Sequence, residues 1–238
     1  MIYKIGILGA SGRMGQEISA VLAADPVVGG DQFEVCDGIT QSGRVQSVDG
    51  IELRTMQDPP REPVHGWIDF SRPEATLALL EKVRVPVLIG TTGFTPEQLR
   101  RIEARATEIP ILLAANTSVG VNWFTQVLEH GPRLAKHGFV AELSEAHHKN
   151  KKDSPSGTAK RLLQSLESVG YAQAPVHVTR AGSIVGTHTV SFIADGEEIT
   201  ITHRATDRRV FAKGALAGMH FLLRQKTPRL YRFEEVLQ

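Results

Sequence analysis

The first residues of the chain place a glycine-rich turn between a short apolar strand and a helix. Tyr3–Leu8 has the apolar character of a buried strand, and it runs directly into Gly9-Ala-Ser-Gly-Arg-Met-Gly15. A helix is predicted to follow from about Gln16 to Ala24. Glycines at such a turn let the backbone bend tightly, approach a pyrophosphate closely and pack helix against strand. The GxxGxxG spacing is one residue off the familiar dinucleotide pattern, but its position between strand and helix favours a nucleotide-binding turn over an ordinary one.

Strands and helices alternate through the rest of the first half. One helix is predicted to begin at Arg72-Pro73, and another is capped by Thr95 with Gln98 three residues later. The further predicted strands are Phe33–Cys36, Ile51–Leu53, Trp67–Phe70, Val85–Ile89 and Ile109–Ala114. Such alternation demands a parallel sheet with right-handed crossovers, so we predict an α/β fold with a Rossmann-type nucleotide domain.

An acidic residue roughly 20 residues beyond the glycines binds the adenosine ribose in dinucleotide folds. Asp37 stands at the predicted end of the second strand and is the candidate, whereas Glu34 lies inside that strand. Gly38 follows, so no arginine adjoins Asp37 to contact a 2′-phosphate. We therefore expect NADH to be favoured over NADPH, with Arg13 and Arg44 as the cations near enough to oppose that preference.

Two more loops follow predicted strands of the first half, where parallel sheets bind their ligands. Gly90-Thr-Thr-Gly93 offers the hydroxyls of Thr91 and Thr92 and the surrounding backbone to a nicotinamide amide, although the same residues also form ordinary turns. The second loop is Ala114–Thr117.

After Asn116 the pattern changes. A helix is predicted over Trp123–Leu134, followed by strands over Phe139–Ser144, Val176–Arg180, Gly186–Ala194 and Glu198–Arg204, the last two joined by the hairpin signal Asp195-Gly196. A helix packed on a mixed sheet is an α+β arrangement, and a final helix over Lys213–Leu223 is expected to return to the first domain. We predict a dinucleotide-binding domain from 1–117 plus 209–238, and a smaller α+β domain from 118–208.

The most polar segment of the chain is Glu145-Ala-His-His-Lys-Asn-Lys-Lys-Asp-Ser-Pro-Ser-Gly-Thr158. Ser154 is predicted as the N-cap of a helix and Pro155 as its first residue. Free N–H groups at a helix start attract anions, and a histidine exchanges protons near neutral pH. The segment therefore suggests proton transfer beside a bound carboxylate or phosphate in a cleft between the domains, whereas most charge runs are solvated loops.

Composition excludes several classes of protein. The net charge of +1 gives no general basic surface for nucleic acid. The one cysteine, Cys36, allows no internal disulfide and fits a reducing compartment, and no apolar run has the length of a membrane helix. We expect a cytoplasmic protein without membrane contact. Adjacent His147 and His148 lack the spaced ligands of a metal site, so we predict no metal.

These motifs together resemble one family. The glycine loop, Gly90–Gly93, Asn116–Gly120 and above all Glu145–Ala159 look like 4-hydroxy-tetrahydrodipicolinate reductase, the dihydrodipicolinate reductase of lysine and diaminopimelate biosynthesis. The pattern E-x-H-x-x-x-K-x-D-x-P-S-G-T-A is highly specific, and the resemblance extends in order to Phe211–Ala215. It implies an oxidoreductase that transfers hydride from NADH or NADPH to a cyclic dicarboxylate, with loss of water, giving tetrahydrodipicolinate. It also implies a homotetramer built through the sheet of the second domain.

The resemblance carries roles onto matching positions. It implies that His147 is the proton donor, that Lys151 is the second catalytic residue, and that His148, Gly157 and Thr158 bind substrate. The implied cofactor contacts are Gly9, Ala10, Ser11, Gly12, Arg13, Met14, Asp37, Gly90, Thr91, Thr92, Ala114, Ala115, Asn116 and Thr117.

Two alternatives stay open from the residues alone. Another two-domain nicotinamide reductase of an amino or keto acid, such as an aspartate-dehydrogenase-like enzyme, would explain the first domain equally well but not the segment 145–159. A cofactor-sensing protein that has lost catalysis would be expected to lack His147 or Lys151, and both are present.

Overall fold

The computed structural model describes residues 1–41, 47–48, 50–58, 62–130 and 134–238. Arg44 lies outside these residues, as does part of the predicted end of the Trp123–Leu134 helix. The chain folds as two compact units, one of Met1–Ser118 with Arg209–Gln238 and a second of Val119–Arg208. No helix in these described ranges is long and apolar enough to cross a membrane.

The strands of the first unit are β1 (Ile2–Leu8), β2 (Val27–Val28), β3 (Asp31–Ile39), β4 (Ser47–Val48), β5 (Ile51–Arg54), β6 (Gly66–Asp69), β7 (Val87–Ile89) and β8 (Ile111–Leu113). The second unit has β9 (Val140–His147), β10 (Val176–Arg180), β11 (Gly186–Ala194) and β12 (Glu197–Ala205), and β13 (Leu230–Tyr231) belongs to the first. The helices are α1 (Arg13–Ala24), α2 (Pro73–Lys82), α3 (Pro96–Ala106), α4 (Val119–His130), α5 (Gly157–Ser168) and α6 (Arg209–Leu223), with 3₁₀ turns at Leu134–His137 and Phe233–Leu237.

The first unit is a sheet in the order β13-β8-β7-β6-β1-β3-β5-β4, with β2 paired to the start of β3. The strands from β13 to β5 are parallel, whereas β2 and β4 run antiparallel to their neighbours. Chain order reverses on either side of β1, which is the switch point where doubly wound sheets bind dinucleotides. The predicted Rossmann-type architecture is therefore confirmed.

Two apolar layers sandwich this sheet, because its parallel strands are buried on both faces. On one face Ile18 of α1 and Leu216 of α6 pack against Ile5 and Ile7. On the other, Leu79 of α2 and its neighbours pack with residues of α3 against the sheet.

The second unit is a four-stranded mixed sheet in the order β10-β9-β11-β12, with β9 and β10 parallel and the other pairs antiparallel. Phe124 of α4 and Leu162 of α5 pack with Leu143 and Val190 on one face of it. The predicted hairpin at Asp195-Gly196 is confirmed, with Gly196 at φ +87°.

Four predicted boundaries are wrong in ways that matter for the site. Helix α1 begins at Arg13, not near Gln16, so Gly15 is helical. Strand β3 continues to Ile39, and β9 continues to His147. Helix α4 spans Val119–His130, so it begins four residues before the predicted start at Trp123.

The start of α5 is also two residues later than predicted. Its N-cap is Ser156, whose hydroxyl accepts a hydrogen bond from Ala159 N, so Ser154 and Pro155 precede the helix. By contrast, the predicted capping box at Thr95 and Gln98 is present in full at the start of α3.

Candidate active site

The glycine loop follows β1 and forms the floor of a cradle. Gly9 has φ +84°, and a Cβ there would lie 2.5 Å from Phe70 O. A Cβ on Gly15 would lie 2.5 Å from Gly9 O, so only glycine lets α1 approach the turn this closely. The exposed N-cap Gly12 begins α1, whose first N–H groups are suited to a phosphate.

A cavity of about 630 Å³ opens beside this loop. The glycine loop contributes Gly9, Ser11 and Gly12, and the end of β3 contributes Thr40 and Gln41. Further residues come from the loops after β5 and β6 and from α2: Thr55, Met56, Gln57, Phe70, Ser71, Arg72, Glu74, Ala75 and Ala78. The volume and the glycine floor fit part of a dinucleotide.

The remaining predicted cofactor residues do not line this cavity, and most of them lie on neighbouring loops or in the first turn of α1. Backbone hydrogen bonds connect those loops in sheet order, from Phe70 N to Leu8 O, from Gly90 N to Asp69 O and from Ala114 N to Ile89 O. The carboxyl ends of β1, β6, β7 and β8 therefore stand side by side. Arg13, Met14, Thr92 and Ala115 are at least partly exposed, whereas Ala10 and Ala114 are buried.

The predicted position of Asp37 at a strand end is wrong, and its surroundings argue against the predicted contact with ribose. It lies inside β3, has no exposed surface, and receives Arg54 Nε at 2.8 Å and Nη2 at 2.6 Å on its two carboxylate oxygens. Arg54 also donates to the carbonyls of Thr55 and Asp58. A buried carboxylate paired with a guanidinium offers no exposed oxygen to a ribose hydroxyl.

The hydroxyl of Thr91 is likewise occupied within the protein. It donates to Asp69 Oδ1 at 3.0 Å and accepts from Ser71 N at 2.8 Å, and the residue is 5% exposed. Asp69 also accepts hydrogen bonds from Ser71 and from Thr76 Oγ1. These hydrogen bonds act to lower the pKa of Asp69, but its burial outweighs them and raises that pKa. Asp69 thus joins two cofactor-side loops, and of the two threonines only Thr92 leaves its side chain exposed.

The loop after β8 is held internally as well. Thr117 is buried and donates to Phe211 O at 2.7 Å, while Asn116 Oδ1 accepts from Ser118 N. Gly214 of α6 allows this approach, since a Cβ there would overlap Thr117 O. This end of the sheet is therefore packed against α6.

In the second unit, the polar segment begins as strand rather than loop. Because side chains alternate along a strand, Glu145 and His147 share the face of β9 that also carries buried Leu143. His148 lies just beyond the end of β9 and is half-buried.

Glu145 is the centre of a buried polar cluster. Its Oε1 accepts from Ser156 N at 3.0 Å and from Arg180 Nη2 at 2.7 Å. Its Oε2 lies 3.5 Å from His147 Nδ1 and 3.6 Å from His188 Nε2. The two imidazoles meet edge to face, with centroids 5.0 Å apart.

The pKa values of this cluster are set by burial and by charge. Burial alone would raise the pKa of Glu145, but hydrogen bonds from Ser156 and Arg180 outweigh it and hold the pKa below its usual value. Burial lowers the pKa of His188 to about 4 and lowers that of His147, where Glu145 opposes the shift. At neutral pH the cluster therefore holds an ionised carboxylate and a neutral His188, while Glu145 favours a proton on His147 against the effect of burial.

The residues that follow β9 form the exposed side of this region. Lys151 Nζ lies 2.8 Å from Asp153 Oδ1, and both side chains are partly exposed. Gly157 is exposed and Thr158 half-exposed in the first turn of α5. The strand, the loop and the helix start thus bring His147, Lys151 and the amides of α5 into one strand–loop–helix segment.

Glu145, His147 and His188 have ligand atoms within 4.8 Å of one another, a spacing that a metal ion can use. We assign no metal to them, because the guanidinium of Arg180 is bonded to the same carboxylate and opposes a second cation there.

In the sequence, Glu145 stands out only as part of a motif, and nothing in the local pattern marks His188. Arg180 was not singled out at all. The one local signal was the Glu-x-His spacing, which places both side chains on one face if the strand continues to His147.

Family models match nearly the whole chain. Residues 3–117 match "Dihydrodipicolinate reductase, N-terminus" and residues 120–237 match "Dihydrodipicolinate reductase, C-terminus". The chain belongs to the dihydrodipicolinate reductase family. The resemblance seen in the motifs is thereby confirmed.

Curated relatives in this family agree along their full length. Proteins named 4-hydroxy-tetrahydrodipicolinate reductase from Methanoregula boonei and Rubrobacter xylanophilus are 37% and 34% identical to this chain. The alignments cover 98% and 99% of this chain, and 97% and 98% of the relatives. A third, from Burkholderia vietnamiensis, is 38% identical over 92% of this chain and 93% of its own.

Solved structures show the same fold. A dipicolinate-bound dihydrodipicolinate reductase from Paenisporosarcina sp. TG-14 superposes with a TM-score of 0.74 at 21% identity, covering 98% of each chain. An aspartate dehydrogenase from Thermotoga maritima superposes with a TM-score of 0.54 at 12% identity, covering 94% of this chain and 97% of its own. The shared architecture explains why the first domain alone leaves the alternatives open.

Proposed function

We propose that this chain is a 4-hydroxy-tetrahydrodipicolinate reductase of the lysine and diaminopimelate pathway. The observation that carries the proposal is the single strand–loop–helix segment holding His147, Lys151 and the start of α5, in a chain whose two halves both match the family. When bound, a reduced nicotinamide would supply the hydride, and with one proton and loss of water a cyclic dicarboxylate would become tetrahydrodipicolinate.

The chain's own residues bind the substrate and move its proton. The N–H groups of Gly157 and Thr158 at the start of α5 are placed to hold one carboxylate, since they carry the positive end of the helix dipole. Lys151 and His148 supply further donors, and His147 supplies the proton. Without substrate, Lys151 pairs with the carboxylate of Asp153. A substrate carboxylate therefore has to displace Asp153 from this lysine.

Steady-state kinetics with enzymatically generated substrate, followed by the loss of reduced-nicotinamide absorbance, tests this function directly. We expect turnover with NADH and with NADPH. Oxidation of L-aspartate without turnover of the dicarboxylate would instead support the aspartate-dehydrogenase-like alternative.

The structure removes the argument for a preference for NADH. That argument depended on Asp37, which Arg54 occupies. The residues that reach the cavity from the end of β3 are the neutral Thr40, bonded to Ser11 Oγ at 2.7 Å, and the exposed Gln41. No acidic residue occurs in the sequence from Thr40 to Val48. We propose that a 2′-phosphate bound beside Thr40 and Gln41 meets no repulsive carboxylate from this segment, although Glu74 of α2 lines the same cavity, and that NADPH is accepted as well as NADH.

Gln41→Glu tests the cofactor proposal, because it adds one negative charge with almost no change in shape. We expect the KM for NADPH to rise roughly tenfold through charge repulsion, while the KM for NADH changes much less. Gln32→Glu makes the same change at the exposed opposite end of β3 and serves as the control. Equal effects of Gln41→Glu on the KM values for NADPH and NADH would show that the 2′-phosphate binds elsewhere.

Lys151→Ala tests the substrate site. A lost hydrogen bond to a charged group costs about 1.5–3 kcal/mol, so kcat/KM should fall roughly 10- to 100-fold. Exposed Lys152→Ala is the matched control. A Lys151→Ala variant that loses only thermal stability would show that the lysine is structural.

We also propose that the chain forms a homotetramer through the second sheet, in the cytoplasm that its single cysteine suits. One face of that sheet packs on α4 and α5. The other carries the hydroxyl pairs Thr189–Thr202 and Ser191–Thr200, with Val140 exposed at its end. Subunit pairing would also cover sheet edges. Light scattering after size exclusion measures the mass, and a monomer at all concentrations would contradict the proposal.

A further inference from the structure

Glu145 contacts two functional parts of the second unit at once. Through Oε1 it holds Ser156 N, the backbone immediately before the first turn of α5. Through Oε2 it faces His147 Nδ1. Within the part of the chain that the structure describes, neither Oε2 nor this nitrogen has a hydrogen-bond partner, although both atoms are buried. Buried polar groups without partners are costly, and these two form a complementary pair 3.5 Å apart.

The chemistry of the pair decides where the proton sits. An ionised carboxylate only accepts hydrogen bonds, so the nitrogen facing it has to be Nδ1–H. The other nitrogen, Nε2, is then the one that exchanges a proton. It lies 3.2 Å from the position a Cβ would take on Gly186, so the lack of a side chain there keeps its edge uncrowded.

Among the groups around His147, Glu145 contributes most to keeping a proton on its imidazole. His188 of β11 is neutral at working pH and contacts Ser156 Oγ at 3.2 Å. Lys151 after β9 and Arg180 of β10 both lower the pKa of His147, in addition to its burial. Asp153 opposes them but is partly exposed and paired with Lys151. Glu145 is thus the buried anion that favours a proton on His147.

We propose that Glu145 is a positioning residue that fixes the Nδ1–H tautomer of His147 while anchoring the start of α5, so that one buried carboxylate aligns the proton donor with the substrate-binding helix. The proposal rests on the proposed function for its kinetic consequences but not for the tautomer itself.

Glu145→Gln is a sharp test because the new amide has only one possible orientation. Ser156 N and Arg180 Nη2 both donate to the Oε1 position, so the oxygen of glutamine must remain there. Its NH₂ group then points at His147 Nδ1, which forces the Nε2–H tautomer and disfavours the imidazolium. We expect kcat to fall roughly 10²–10⁴-fold, as other misprotonated catalytic histidines do. The limb of the pH profile that requires a protonated histidine should move to lower pH.

Glu142→Gln is the matched control. Glu142 lies on the same strand, faces away from the cluster, and pairs with exposed His177 at 3.2 Å. The Glu142→Gln substitution removes a carboxylate–imidazole pair without changing the surroundings of His147. The kcat and the pH profile of this variant should therefore match those of the unmodified chain. Thermal melts of both variants report folding.

Imidazole ¹⁵N NMR of the full chain measures the tautomer independently of activity. We expect Nδ1–H in the unmodified chain and Nε2–H in Glu145→Gln. An unchanged tautomer, or a kcat within about threefold of the unmodified chain, would overturn the proposal. A tautomer switch in a chain that never turns over the dicarboxylate would support the positioning role and overturn the proposed function.

Discussion

His147→Gln is expected to lower kcat by roughly 10²–10⁴-fold, because glutamine has no proton to deliver at neutral pH. The side chain is mostly buried but keeps 9% of its surface exposed, so one edge remains accessible. Binding of the dinucleotide, which belongs to the other unit, should change little. Stopped-flow measurement of the loss of reduced nicotinamide at saturating substrate gives the effect on turnover. Fluorescence titration gives the affinity for the cofactor.

Two comparisons make this result specific to His147. His177→Gln alters an exposed histidine of β10 and should leave kcat unchanged. Glu145→Gln combined with His147→Gln should be no slower than His147→Gln alone, since residues acting as a unit are not additive. Unimpaired turnover in His147→Gln would refute the role of His147 as the proton donor. Fully additive losses of kcat in the double variant would show that Glu145 and His147 act independently.

Arg54→Met is expected to lower the free energy of unfolding by about 3–5 kcal/mol, the largest effect on stability that we anticipate. The Asp37–Arg54 pair is buried, with 0% and 7% of the side chains exposed. Removing the guanidinium leaves an unpaired charge inside β3. The double variant Asp37→Asn with Arg54→Met removes that charge, so it should recover much of the loss. Chemical denaturation of the three proteins provides the comparison.

The single variant Asp37→Asn, added to this series, separates a structural Asp37 from a cofactor contact. We expect Asp37→Asn to change stability and to leave the KM for NADH within about threefold of its original value. A large rise in that KM with unchanged stability would restore the ribose contact that the geometry contradicts.

The elements of the fold were largely predictable because they depend on local pattern. Apolar runs of strand length, the Thr95 capping box and the Asp195-Gly196 hairpin each specify a conformation over a few neighbouring residues. Boundaries were less predictable. Strand β9 continues to His147 because Glu145 and Ala146 pair with β10 and β11, partners that are 33 to 43 residues away in the register.

The same distinction between local pattern and long-range contact applies to the candidate site. The sequence by itself determined the glycine cradle, the alternating α/β order and the Glu145–Ala159 motif, because turn geometry, periodicity and a long specific pattern are all local. What each charged group can do depends instead on contacts between residues far apart in the chain. Arg54 on the neighbouring strand β5 pairs with Asp37 of β3 and argues against its ribose contact, while Arg180 and His188 meet Glu145 beside His147. Whether a carboxylate is free depends on its nearest cation, and strand pairing over long separations sets that distance.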